Sequence, residues 1–153
     1  MIGFINRPKE AAPHTIANIE ATRVYTMNHI QASFIAQAHQ TSAKYAAKES
    51  EFEKTGLVIE WKDSIKVPFV VESNIKYSME LVEIIPIQHN GSFFVIGRVK
   101  DVFVDETLID TDGFLHIEKA GGVTSLGIDG YFGTNLLARY RYAKPNTLTE
   151  KIN

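Results

Sequence analysis

The stretch "NRPKEAAPHT", residues 6 to 15, places Asn6, Arg7 and Lys9 in a loop that runs through His14 into a helical pattern near Thr15. A helix start leaves several backbone N–H groups unpaired and carries partial positive charge. Basic side chains in the loop that enters it match such a site to a phosphate. Arg7 can grip two oxygens at once, Lys9 brings a mobile charge, and Thr15 offers a hydroxyl. His14 adds a donor when its tautomer or protonation allows. Solvated surface cations and a Thr that merely caps its helix fit the same spacing. The pattern is not a P-loop, because the glycines are missing.

Other chemistry has less support. His14, His29, His39, His89 and His116 show neither HxxxH nor HExxH spacing, and no carboxylate stands as an evident second ligand, so no metal site is expected. Glu49, Glu51 and Glu53 resemble an acid–base set, yet in "KESEFEK" they read as a solvated face. Ser33, Ser42 and Ser125 lack a nucleophile-elbow context. Tyr131 and Phe132 between glycines suit core or interface packing, or the cover of a planar ring. Trp61 reads as a surface or dimer contact, and no catalytic side chain can be named.

The elements that must position the basic loop follow from periodicity. "MIGFI" reads as a short buried strand, and Thr15 as the N-cap of a short helix with Ile16 and Ile19 on one face. "RVYTMNH" is strand-like, and Ile30, Phe34 and Ala38 mark a second helix. "KYAAKESEFEKTG" continues as loop and short helix, with Gly56 as its stop. Beyond Ile65 the pattern turns to strand. Ile75, Tyr77, Met79 and Leu81 share one face, and Val82, Ile84 and Pro86 shift that alternation, which predicts a bulge or edge. Asn90-Gly91 signals a type I′ hairpin whose arms exceed the usual five or six residues. One more strand is expected over Leu136 to Tyr142.

The chain has 153 residues, 44% of them hydrophobic and 22% charged, which suits one folded domain. Sixteen Lys and Arg against 18 Asp and Glu give a net charge of −2, so no broad nucleic-acid-binding face is expected. There is no Cys, which removes disulfides and thiolate chemistry and fits a reducing, cytoplasmic setting. No apolar run approaches the roughly 20 residues that span a bilayer, so no membrane partner is expected.

The segments "IGFINRPKEAAPHTIANIEATRVYTMNHI", "AHQTSAKYAAKESEFEKTGL", "PFVVES", "MELVEIIPI", "FVIGRV" and "HIEKAGGVTSLGIDGYFGTNLLARYRYAKP" together resemble the flavin reductase-like family, nearest its flavoredoxin-like branch. The resemblance implies an α+β fold, an FMN-binding split β-barrel with two short helices inserted early, and a homodimer. It implies FMN as cofactor, with Asn6, Arg7, Lys9 and Thr15 at the flavin phosphate and His14 beside them. Thr41, Ser42 and Ala43 fall where the family brings its chain close to the flavin. The electron donor implied is NAD(P)H, or else a protein in an electron-transfer flavoprotein. Family members carry a further amino-terminal stretch. Residues 1–153 are therefore expected to be a single flavin reductase-like domain, incomplete at the amino terminus and with an open barrel edge. A remnant barrel that binds no flavin is the remaining alternative.

Overall fold

The computed structural model describes residues 1–152. In chain order the elements are β1 (Ile2–Asn6), α1 (Pro13–Thr22), β2 (Val24–Asn28), α2 (Ile35–Gln40), α3 (Glu51–Thr55), β3 (Ile59–Glu60), β4 (Phe69–Val70), β5 (Ile75–Ile87), β6 (Ser92–Val104), β7 (Val123–Leu126), β8 (Gly130–Gly133), β9 (Arg139–Tyr140) and β10 (Lys151–Ile152). Hydrogen bonds join four strands into one antiparallel sheet, ordered β1-β6-β5-β2. The short strands pair among themselves, β3 with β4, β7 with β8 and β9 with β10.

The sheet is built on the 13-residue arms β5 and β6, as long as the hydrophobic pattern predicts. Two register shifts interrupt their pairing. One leaves Val82 unopposed, where the alternation breaks, and the other leaves Lys100 unopposed, which no pattern foretold. Bulges of this kind bend a strand and raise its twist.

The hairpin turn differs from expectation. Ile87 pairs with Ser92, so four residues make the loop, and of Asn90 and Gly91 only Gly91 has positive φ, at 70°. A type I′ turn needs both. Asn90 instead turns its Oδ1 onto the loop and accepts from the Ser92 N–H at 3.1 Å and the Ser92 hydroxyl at 2.6 Å. His89 in this loop is exposed.

Helix α1 starts three residues earlier than a cap at Thr15 predicts. Its N-cap is Ala12, without a side-chain cap bond, and Pro13 occupies the first turn. Proline suits that place because its φ is preset and its missing N–H would have no helical partner. Thr15 therefore lies inside the first turn, not at the cap. The helix buries Ile16 and Ile19 against Tyr25, Met79, Leu81 and Val95, the main core. Helix α2 also starts later than Ile30, after a 3₁₀ turn at Ala32–Phe34, because the backbone at 30–31 is held extended by Gln31 facing Gly122 and by Val123 N–H donating to Ile30 O at 3.1 Å. Helix α3 supplies the short helix expected before Gly56, whose φ of 74° ends it.

The closing strand expected at Leu136 to Tyr142 shrinks to Arg139–Tyr140, which pairs with β10 and not with the main sheet. Its neighbours Leu137 and Tyr142 are each 90% exposed, so no core draws them in. What fixes this segment is charge. Arg139 lies over the Phe114 ring at 3.9 Å, donates to Asp110 Oδ2 at 3.0 Å, and pairs with Asp112. His116, buried nearby, faces Asp110 Oδ2 through Nε2 at 2.9 Å and Glu118 Oε1 through Nδ1 at 2.6 Å. The fold thus brings His116 two carboxylate partners from Asp110 and Glu118.

An ionised carboxylate only accepts hydrogen bonds, so two of them on one imidazole call for both ring nitrogens to be protonated. The Glu118 and Asp110 contacts accordingly raise the His116 pKa above 6.5, and His116 lowers that of Glu118 below 4.5. The His116 contribution is complete below its unfolded pKa and is lost as pH rises through its folded one. The Glu118 contribution is present above its unfolded pKa and is lost as pH falls through its depressed one. The network is therefore strongest from about pH 4.5 to about 6.5. His29, whose burial lowers its pKa, acts with the opposite sign, so the informative comparison is with His116→Gln. Thermal midpoints across pH 5 to 9 should fall more steeply for the unaltered chain than for this variant. Parallel curves would remove His116 from the account.

Candidate functional site

The basic loop lies where β1 hands the chain to α1. Asn6 is buried at the end of β1 and donates through Nδ2 to Arg7 O at 2.7 Å and Ala12 O at 3.5 Å. Ala11 and Ala12 N–H both donate to Pro8 O, at 2.9 and 3.0 Å. These bonds fold the loop back on itself, so Asn6 shapes it from within. Lys9 turns another way, to Glu20 at 3.5 Å and over the Phe93 ring at 5.5 Å.

The other six expected residues share one recess. Arg7, His14 and Thr15 line it from the loop and α1, and Thr41, Ser42 and Ala43 line it from the turn after α2. Its volume is about 80 Å³, room for a phosphate-sized group but not for a ring system. The donors are unequal. Thr41 and Ser42 give their hydroxyls to Ala38 O and His39 O, each at 2.7 Å, and so cap the end of α2. The N–H groups of Thr41, Ser42 and Ala43 also bond α2 carbonyls. The donors left for a ligand are the Arg7 guanidinium, His14, the Thr15 hydroxyl and the first-turn N–H groups of α1.

Among the lining residues missed by the sequence reading, two are charged. Lys44 borders the recess and donates from Nζ to Glu10 O at 3.2 Å, which holds the 41–45 turn against the basic loop. Glu51, at the start of α3, borders it too. Glu51 is exposed, yet partial desolvation at the recess wall raises its carboxyl pKa, and nearby His14 works against that shift. Lys44 directly follows the Thr-Ser-Ala turn, a signal that could have found it. Nothing in the spacing of "KESEFEK" distinguishes Glu51 from its neighbours. Glu49 is spent on Lys54 at 2.9 Å, and Glu53, exposed like Glu51, lines neither cavity.

The recess adjoins a cleft of about 670 Å³ between α1, β2 and α3. Phe4, Ile19, Tyr25, Met27, Phe52 and Pro68 give it apolar walls, and Asn18 and Asn28 add polar groups. That volume lies in the range of small-molecule sites. Thr15 and Glu51 line both spaces and so stand at their junction.

Tyr131 and Phe132 sit apart from this cleft. Tyr131 Oη meets His39 Nδ1 at 3.2 Å across a separate open groove, and Phe132 is exposed. Trp61 is exposed on the surface, beside β3.

The sequence profile of the flavin reductase like domain matches residues 3–120, from β1 through the basic loop and both cavities to the loop after His116. The chain belongs to the flavin reductase-like family. A split-barrel-domain structure of flavin reductase type from Shewanella frigidimarina NCIMB 400 is 46% identical, covers 92% of this chain and 70% of its own, and superposes with a TM-score of 0.86. Flavoredoxin of Desulfovibrio vulgaris (Miyazaki F) shares the fold at 20% identity, with 95% of this chain and 74% of its own covered and a TM-score of 0.69. An uncharacterized protein of Aquifex aeolicus (strain VF5) is 24% identical over 83% of this chain, which spans 64% of that relative's length. This flavin reductase-like chain therefore has the α+β split-barrel fold, although strict hydrogen bonding leaves its four-stranded sheet open between β1 and β2. No helix among the described residues is long and apolar enough to cross a membrane.

Proposed function

We propose that this chain binds FMN and exchanges a hydride or electrons between NAD(P)H and that flavin. The observation that carries the reading is a phosphate-sized recess at the start of α1 that shares Thr15 and Glu51 with an adjoining apolar cleft of ring-holding size. Family membership supports the redox half of the proposal.

The residues present fit the group. Arg7 would hold two phosphate oxygens through its fork of N–H donors. Lys44 and His14 would add positive charge, and Thr15 its hydroxyl, at a helix end that already favours an anion. Phe4, Met27 and Phe52 would exclude water from one side of the ring. Bound FMN supplies the hydride-accepting chemistry, so the chain need only anchor, orient and shield. The absence of any assigned catalytic acid or base agrees with that division of work.

Arg7→Ala should weaken FMN by about 1–3 kcal/mol, the scale of a lost charge-assisted hydrogen bond. Flavin fluorescence titration measures it, and an unchanged dissociation constant would remove Arg7 from the site. Stopped-flow mixing with NADH and NADPH then tests the donor. Bleaching of the flavin band supports the reductase reading, whereas reduction only by a protein donor supports simple electron transfer.

We also propose a homodimer. Val58, Ile59, Trp61 and Val71, all exposed, form an apolar ridge on and beside the β3–β4 pair. Light scattering after gel filtration is expected to give twice the chain's 17.2 kDa.

A further inference from the structure

We infer that Glu51 selects a flavin whose ring and phosphate are joined by a hydroxylated chain. The inference rests on the FMN reading above and concerns the part of the ligand that neither the recess nor the ring cleft explains. A ligand with its phosphate in the small recess and its ring in the large cleft has to cross the junction between them. Only Thr15, from α1, and Glu51, from α3, line both spaces.

A carboxylate beside a phosphate is an electrostatic liability, and near an anion site it weakens binding unless something offsets it. Glu51 makes no ion pair among the described residues, whereas Glu49 on the same turn is taken up by Lys54. His14 from α1 is the charged group that acts on it, and Arg7 from the basic loop and Lys44 from the turn after α2 line the same recess. An ionised carboxylate accepts hydrogen bonds and donates none. Glu51 is exposed, so water satisfies its carboxylate in the free chain, and a ligand segment that covers it must replace that water with donors of its own. The ribityl hydroxyls of FMN do so, and a plain alkyl chain does not. Thr15 can both donate and accept, so Glu51 is the member of the junction that discriminates.

The test compares FMN with a flavin in which an unsubstituted alkyl chain carries the terminal phosphate, both titrated by flavin fluorescence against the full chain. The unaltered protein should bind FMN about ten-fold tighter or more, the worth of a hydrogen bond to a charged group. Glu51→Ala should erase that preference by weakening FMN alone, and Glu51→Gln, which keeps the side chain's size at the start of α3, should reduce it. Glu53→Ala, on the same helix but outside both cavities, should change neither ligand. Circular dichroism and Trp61 fluorescence report whether each variant is folded. Equal affinity of the two flavins for the unaltered chain, or equal loss of both in Glu51→Ala, overturns the role of Glu51 and leaves the phosphate recess standing. Failure of both flavins to bind, or their indifference to Arg7→Ala, overturns the recess and this inference with it.

Discussion

Ile16→Ala is expected to destabilise the chain by about 2–5 kcal/mol, the range for emptying a buried aliphatic site. Ile16 is fully buried, and with Ile19 it forms the whole buried face of α1. A ten-residue helix is too short to persist in water on its own, so α1 depends on that face. Its partners Tyr25, Met79, Leu81 and Val95 come from three strands already bound to one another and cannot collapse far into the space left. Urea unfolding should show a lower midpoint at unchanged slope, the mark of lost stability without a change in the surface exposed. Because His14 and Thr15 precede Ile16 directly, FMN affinity should fall as well under conditions where the variant remains folded. A midpoint equal to that of the unaltered chain would show that α1 is seated by something else.

Gly97→Ala should cost about 3 kcal/mol, the upper part of the range for overpacking a core. A Cβ at Gly97 would overlap Tyr25 Oη and stand 2.9 Å from Tyr25 Cζ and 3.1 Å from Met79 Cε. The Tyr25 ring is braced edge-on against Phe4, with centroids 5.8 Å apart, so it cannot simply withdraw. The Tyr25 hydroxyl is buried without a hydrogen-bond partner among the described residues. Burial accordingly raises its pKa, since the phenolate would fare worse there. Removing an orphan of this kind is favourable, and Tyr25→Phe alone should stabilise the chain by about 1 kcal/mol. In Gly97→Ala/Tyr25→Phe the nearest clash is gone while the contact at the ring carbon persists, so part of the loss should return. Denaturation of all four forms of the cycle gives the coupling. Strict additivity would show that Tyr25 is not what keeps position 97 a glycine.

Much of this fold is legible in the sequence where one local preference dominates. The apolar run Met1–Ile5 yields β1, although as an edge strand with Ile5 exposed and not as a buried one, and Ile16 and Ile19 point one way because a helix repeats every 3.6 residues. The broken alternation after Leu81 becomes the bulge at Val82, and Gly56 ends α3. Readings fail where two local signals compete. Thr15 is a good cap residue, yet Pro13 is better suited to the first turn and moves the cap three residues upstream to Ala12. Asn90-Gly91 favours a two-residue turn, yet Asn90 can bond Ser92 through its side chain, and the loop widens to four. The closing strand fails for a different reason, since two-residue β9 follows its ion pairs and no hydrophobic face.

The kinds of elements, the loop that enters α1 and the types of side chain available for an anion follow from the order of residues alone. Those properties depend on residues a few positions apart, which the backbone's preferences already constrain. The tertiary structure alone decided which side chains meet. It turned Lys9 away to Glu20 and buried Asn6 inside its loop. It brought Lys44 and Glu51 across to Arg7, and set Asp110 between His116 and Arg139. Such meetings depend on how α1, the turn after α2 and α3 pack around the sheet, and packing is a property of the whole chain that no local spacing encodes.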